Sequence, residues 1–174
     1  IHIGRNVTLR GSCAEAASAI CRLNAGGSRR HFIIANNLEA APLRVIFENI
    51  DFFNGRVQGS GGQYVYGGSV HMNNVQATFV DCVFTDNFAS HYGGAIHATA
   101  QDATCSFIAC VFNGNAAAWG FDVIAGSATV HFAGSNIVDG HEIQSVSTQA
   151  VGNRQTTYDT MSSSPTAAPS TGEL

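Results

Sequence analysis

Residues 79–112 read FVDCVFTDNFASHYGGAIHATAQDATCSFIACVF, and one phrase occurs in them twice. It is Phe79-x-x-Cys82-x-Phe84-x-x-Asn87, then Phe107-x-x-Cys110-x-Phe112-x-x-Asn115. A looser copy lies upstream, Phe47-x-x-Ile50-x-Phe52-x-x-Gly55, and a decayed one downstream, Phe132-x-x-Ser135-x-Ile137-x-x-Gly140. The leading phenylalanines are 32, 28 and 25 positions apart. Self-similarity at such a period marks a solenoid, in which each repeat buries its apolar side only against its neighbours.

Positions two and four before each Phe are apolar or small: Leu43 and Val45, Val75 and Ala77, Ala103 and Cys105, Ala128 and Val130. The positions between them are mostly polar, which is the alternation of a strand with one buried face. After a two-residue break the inward pattern resumes at Ile50/Cys82/Cys110 and Phe52/Phe84/Phe112, a second strand. Turn pairs follow: Asn54-Gly55, Asp86-Asn87, Gly114-Asn115 and Asp139-Gly140. Such residues tolerate left-handed backbone or bond their own main chain at a tight corner. A third strand follows a glycine pair, as in Gly67-Gly68-Ser69-Val70-His71 and Gly93-Gly94-Ala95-Ile96-His97. Three strands per coil, returning in the same order every 25–32 residues, predict an all-β, right-handed parallel β-helix. The handedness comes from the general preference of parallel connections. Aligned Asn residues are expected to form a ladder at one corner.

Gly93-Gly94-Ala95-Ile96, with Phe84-Thr85-Asp86-Asn87 and Phe112-Asn113-Gly114-Asn115, resembles the paired GGAI and FxxN motifs of polymorphic outer-membrane protein repeats. Similar coils occur in β-helix proteins on the surfaces of algae and other microbial eukaryotes. The resemblance covers roughly residues 43–137. It implies the β-helix fold and a place at the cell surface, in adhesins, surface coats and passenger domains.

The chain of 174 residues is long enough for one sizeable core. Only 11% of residues are charged, every basic residue is Arg, and the net charge is −4. That balance argues against a nucleic-acid partner. No apolar run reaches the length of a membrane span. The domain reading is a β-helix over residues 1–155 and a Ser/Thr/Pro-rich tail over 156–174. The tail's composition favours extended, polyproline-like chain and resembles O-glycosylated stalks, with Ser162, Ser163, Ser164, Thr166, Ser170 and Thr171 as candidate sites. Asn6-Val7-Thr8 is an N-glycosylation sequon. Cys13 and Cys21 sit in a small loop outside the coil pattern, where a disulfide is expected in an extracellular protein. Cys82, Cys105 and Cys110 fall on inward columns and read as small buried hydrophobes.

Residues 54–68, NGRVQGSGGQYVYGG, form the longest insertion and read as an exposed loop. Residues 87–94 and 115–120 leave the same corner. Tyr64, Tyr66, Tyr92 and Trp119 are therefore expected to form an aromatic strip along one edge, suited to sugar rings or a neighbouring subunit. Arg29-Arg30-His31 reads as a solvated corner that could alternatively take a carboxylate or sulfated sugar. His71 and His97 are equivalent outward positions and read as a surface histidine ladder, two ligands being few for a metal site.

A polysaccharide-cleaving enzyme needs clustered carboxylates. Here the acids scatter, and Asp81 beside Glu48 is the nearest expected pair. No catalytic residue, cofactor or metal is assigned, although covalent glycans fit. The ends carry no capping helix, so they are expected to pair with other copies, as a homo-oligomer or filament, or to belong to a longer solenoid. The leading expectation is a non-enzymatic extracellular structural protein, a subunit of a self-assembling fibre or surface coat. A monomeric carbohydrate-binding adhesin is the alternative, and a polysaccharide lyase or hydrolase a third.

Overall fold

The large inward residues stack as their spacing predicts. The computed structural model describes residues 1–12, 20–36, 41–59, 65–100, 102–119, 122–126, 128–134, 136–138, 141–143 and 146–149. They form a parallel β-solenoid of about four turns. No helix among them is long and apolar enough to cross a membrane.

Four faces run along the solenoid. The first carries the strands Val7–Arg10, Leu43–Glu48, Val75–Val80, Thr104–Ile108 and Thr129–Ala133, each parallel to the next. Phe47, Phe79, Phe107 and Phe132 occupy one register column on it. The second face carries Cys21–Asn24, Ile50–Phe53, Val83–Thr85, Val111–Asn113 and Asn136–Val138, with Phe52, Phe84 and Phe112 in one column. The fourth carries His2–Ile3, Phe32–Ala35, Val70–Asn73, Ile96–Thr99 and Val123–Ala125.

Between the second and fourth faces lies a face that the alternation pattern does not reveal. Arg56–Val57, Phe88–Tyr92 and Ala116–Trp119 pair as a three-stranded parallel sheet. The coil therefore has four strands in its middle turns, and the segments expected to be projecting loops are partly sheet. Their inward residues are Val57, Ala89 and Ala117, a small core of their own. Alanine carries little apolar signal, which is why the strands are quiet in sequence.

The two phenylalanine columns explain the stacking energy. Within a column the rings stack: Phe47 on Phe79 with centroids 5.0 Å apart at 7°, and Phe84 on Phe112 at 4.8 Å and 8°. Between columns they meet edge to face, as Phe79 and Phe84 do at 5.3 Å and 71°. Both arrangements suit the ring quadrupole, adding about 0.5–1.5 kcal/mol per pair beyond area burial. Cys82, Cys105 and Cys110 are fully buried free thiols in this core.

Corners are made by residues in left-handed backbone. Asn49, Asp81 and Ala109 follow equivalent strands with φ of 56°, 50° and 51°; Asn54, Asp86 and Gly114 repeat the device one corner later. The expected asparagine ladder is present and buried. Asn87 Nδ2 donates to Phe52 O at 2.9 Å and to Asn115 Oδ1 at 2.8 Å, while Gly55 N donates to Asn87 Oδ1 at 2.8 Å. Asn115 Nδ2 continues it to Phe84 O at 2.9 Å and Asp122 Oδ1 at 2.8 Å. The glycine pair has two separate causes. Gly67 and Gly93 sit at φ 62° and 63°. At Gly68 a Cβ would lie 2.1 Å from Gly94 O and 2.5 Å from Phe88 O, so only a hydrogen fits.

The two ends differ. At the far end His141–Ile143 and Val146–Gln149 turn back antiparallel onto the second and first faces. The end expected to offer an open parallel edge is thus partly closed by antiparallel strands. Residues 150–174, with all six candidate O-glycosylation sites, lie outside the described residues, as do Cys13 and Tyr64.

Candidate functional site

Five residues before each outward position of the fourth face stands an aromatic side chain: Tyr66 before His71, Tyr92 before His97 and Trp119 before Ile124. His71, His97 and Ile124 are register partners, and Ile33 precedes them in the column. The glycine-pair corner turns Tyr66 and Tyr92 back over these positions. Tyr66 bridges Tyr92 in parallel, and Tyr92 pairs with Trp119, so the three come from successive coils into one line. Of the four aromatic residues expected on this edge, the described three are brought together.

Their exposure is graded. Tyr66 and Tyr92 are half-buried, with ring centroids 5.4 Å apart, and Trp119 is 41% exposed. Beneath them the histidines are not a surface ladder: His71 and His97 are both buried. Tyr66 covers them, its ring 4.8 Å from His97 and 6.2 Å from His71. Their Nδ1 atoms lie 3.1 Å apart. Burial, with the positive charge of Arg30 adding to it, pushes His71 down to about 4. Burial first, then the charges of His71 and Arg30, push His97 down to about 3. Both imidazoles are therefore neutral at ordinary pH.

The Arg29-Arg30-His31 corner is solvated only at its first residue. Arg29 is exposed, but Arg30 and His31 are buried, and burial lowers Arg30 to about 10. His31 Nε2 lies 2.7 Å from Leu23 O and Nδ1 3.1 Å from Ser69 Oγ. A carbonyl only accepts, so Nε2 carries the proton and Nδ1 accepts from the Ser69 hydroxyl. Burial holds His31 below its ordinary value. This histidine is a structural bolt between coils.

Acidic residues pair off separately. Glu48 binds Arg10 and Asp51 binds Arg22 at 2.6 Å, each arginine coming from the preceding coil. Among the described residues no three His, Cys, Asp or Glu side chains converge on a point where a metal ion could sit. Two arginines lie over aromatic rings, Arg22 over Phe53 at 4.5 Å and Arg56 over Phe88 at 4.4 Å. Asn6 is exposed, and its Oδ1 accepts from Arg44 N at 2.8 Å.

Fold and edge together define the class: a parallel β-solenoid with an outward aromatic line. Within it, residues 81–99 match the Chlamydia polymorphic membrane protein repeat. That stretch runs from the left-handed Asp81 through Cys82, Asn87, Tyr92 and the Gly93-Gly94 corner to the end of the Ile96–Thr99 strand, so the repeat is one stacked coil without its first face. No curated protein and no solved structure matched the chain.

Proposed function

We propose that this chain is a non-enzymatic, surface-displayed β-solenoid of the extracellular space, and that it works by contact through Tyr66, Tyr92 and Trp119, with a glycan as the partner. The observation that carries this reading is the register: three aromatic residues from three coils fall in one line, with Trp119 exposed at its end. Tyrosine and tryptophan offer sugar C–H faces a large apolar area at low entropic cost, and a rigid sheet holds them in place. The match to a polymorphic membrane protein repeat supports the surface location. A Cys13–Cys21 disulfide, N-glycosylation at Asn6 and an O-glycosylated stalk over residues 156–174, following a solenoid over 1–155, belong to the same reading. The test is glycan-array binding of the wild type beside Trp119→Ala, both shown folded by far-UV circular dichroism. Selective binding that the variant loses supports the reading, and no binding to any glycan class overturns it.

A second reading, self-assembly into a fibre or coat, is favoured by one observation at the opposite end. Ile3, Val7, Leu9, Leu23 and Phe32 line an open cavity of about 660 Å³ at the first coil. Electron microscopy of the untagged protein at micromolar concentration separates the two readings: regular filaments support assembly, and dispersed particles remove it.

A further inference from the structure

Charge is sorted along the axis of this solenoid. Residues 1–56, which supply the first two coils, hold seven arginines against four acids. Residues 57–149, which supply the rest, hold no Lys or Arg against six acids. One end is therefore basic and the other acidic. Two sheets carry this difference to their edges. The first face runs from Val7–Arg10 to Val146–Gln149, and the second from Cys21–Asn24 to His141–Ile143. Followed from partner to partner, one column of the second face reads Arg22, Asp51, Val83, Val111, Ile137, Glu142. It begins on a cation and ends on an anion. On the first face the inward phenylalanine column begins on Leu9 and ends on Val146, and its neighbour begins on Thr8 and ends on Ser147. A second copy stacked in the same register sets these three column ends apolar against apolar, hydroxyl against hydroxyl and cation against anion. Arg22 has donors to spare for that contact: Nε donates to Asp51 Oδ2 at 2.6 Å, and the side chain stays 58% exposed. The first-coil cavity, lined in part by Ile3, Val7, Leu9 and Leu23, lies at the same edge and gives the joint an apolar centre.

We propose that copies of this chain stack head to tail, with Val7–Arg10 and Cys21–Asn24 at the basic end of one pairing with Val146–Gln149 and His141–Ile143 at the acidic end of the next. This rests on the assembly reading above and supplies its direction. His141–Ile143 and Val146–Gln149 both run antiparallel to the coils, so both new ladders are antiparallel. The two surfaces differ, so the contact is heterologous and repeats along the axis without closing, which builds a filament. A head-to-head contact is opposed by charge, because it sets two arginine-rich coils together.

The test is sedimentation velocity of the untagged full chain at micromolar concentration in low and high salt. Arg22→Glu, Glu142→Arg and an equimolar mixture of the two are run beside it, each variant shown folded by far-UV circular dichroism. The wild type is expected to sediment as long species at low salt and to shift toward the monomer as salt is raised. Each single variant sets like charges at its own joint and is expected to weaken association at least about tenfold. The mixture restores an opposite pair wherever unlike copies meet, so it is expected to regain the assembly that neither variant has alone. Arg22→Glu also loses its bond to Asp51; if that variant does not fold, Glu142→Arg and the salt series of the wild type decide. Three results overturn the head-to-tail joint while leaving assembly through another surface standing: a wild type that assembles equally at every salt concentration, variants that assemble as well as it does, or a mixture no better than its components. A monomer under every condition overturns both the joint and the assembly reading.

Discussion

Asn87→Ala removes one side chain and strands groups on two coils. The Asn87 side chain accepts from Gly55 N at 2.8 Å and donates to Phe52 O at 2.9 Å and Asn115 Oδ1 at 2.8 Å. Asn87 is 1% exposed and Gly55 is buried, so bulk water does not replace these partners. Asn115 Oδ1 keeps a second donor, the Asn87 backbone N–H at 3.0 Å, which leaves the Gly55 N–H and the Phe52 carbonyl as the groups that lose most. A buried group left without its partner costs about 1–3 kcal/mol, so the variant is expected to lose about 3–5 kcal/mol. For a domain of this size that corresponds to a fall in Tm of roughly 6–20 °C. Asn87→Asp sharpens the test. It keeps the acceptor for Gly55 but turns a carboxylate oxygen toward the Phe52 carbonyl and Asn115 Oδ1, so at neutral pH it should destabilise at least as much. Thermal and urea unfolding of both variants measure this. A loss below about 1 kcal/mol in both would refute the view that the ladder is a fully engaged buried network.

Three further outcomes are expected. Gly68→Ala places a Cβ against the Gly94 and Phe88 carbonyls of the next coil, and backbone there cannot yield cheaply; soluble expression should be lost or stability fall by at least about 3 kcal/mol, read by urea unfolding. Ala109→Asn puts at φ 51° the kind of residue that Asn49 and Asp81 supply at the equivalent corners, and should stabilise by about 0.5–1 kcal/mol; a neutral or negative change removes backbone strain as the explanation. The thiols of Cys82 and Cys105 are raised, Cys82 by its hydrogen bond with Cys110 and by burial, Cys105 by burial alone. With Cys110 buried as well, all three should resist a thiol reagent in the folded protein and react once it is unfolded in guanidinium; stoichiometric labelling of the native state contradicts their place in the core.

The first two faces were legible because their columns hold large residues. Phe47, Phe79, Phe107 and Phe132 fix one register and Phe52, Phe84 and Phe112 the next, and the observed pairing follows both. The third face was hidden because Ala89 and Ala117 do the inward packing there, and its short strands lie among polar residues. The aromatic line was legible from the shared corner, whereas the burial of His71 and His97 was not, since alternation assigns both to the outside. What buries them comes from the preceding corner. A signal did exist: Tyr66-Gly67-Gly68-Ser69-Val70-His71 and Tyr92-Gly93-Gly94-Ala95-Ile96-His97 repeat one phrase, aromatic, glycine pair, then histidine five residues on. A tight glycine corner can return the aromatic ring only over the strand that follows it. His31 gave no comparable signal, because its partners Leu23 and Ser69 come from other strands and corners. The antiparallel return of Val146–Gln149 was equally silent, as direction leaves no mark on so short a segment.

The central claim is that parallel register assembles one contact surface from separate coils, and a disulfide trap tests it most directly. Tyr92 and Trp119 are register partners, whereas Ala117 pairs with Ala89. Directly paired parallel strands hold their Cα atoms within the roughly 4.4–6.8 Å that a disulfide spans. Mild oxidation of Tyr92→Cys/Trp119→Cys is expected to give an intramolecular bridge, found by peptide mapping, with little in Tyr92→Cys/Ala117→Cys or the wild type. Equal bridging in both double variants, or none in the first, would contradict the register on which the aromatic line depends.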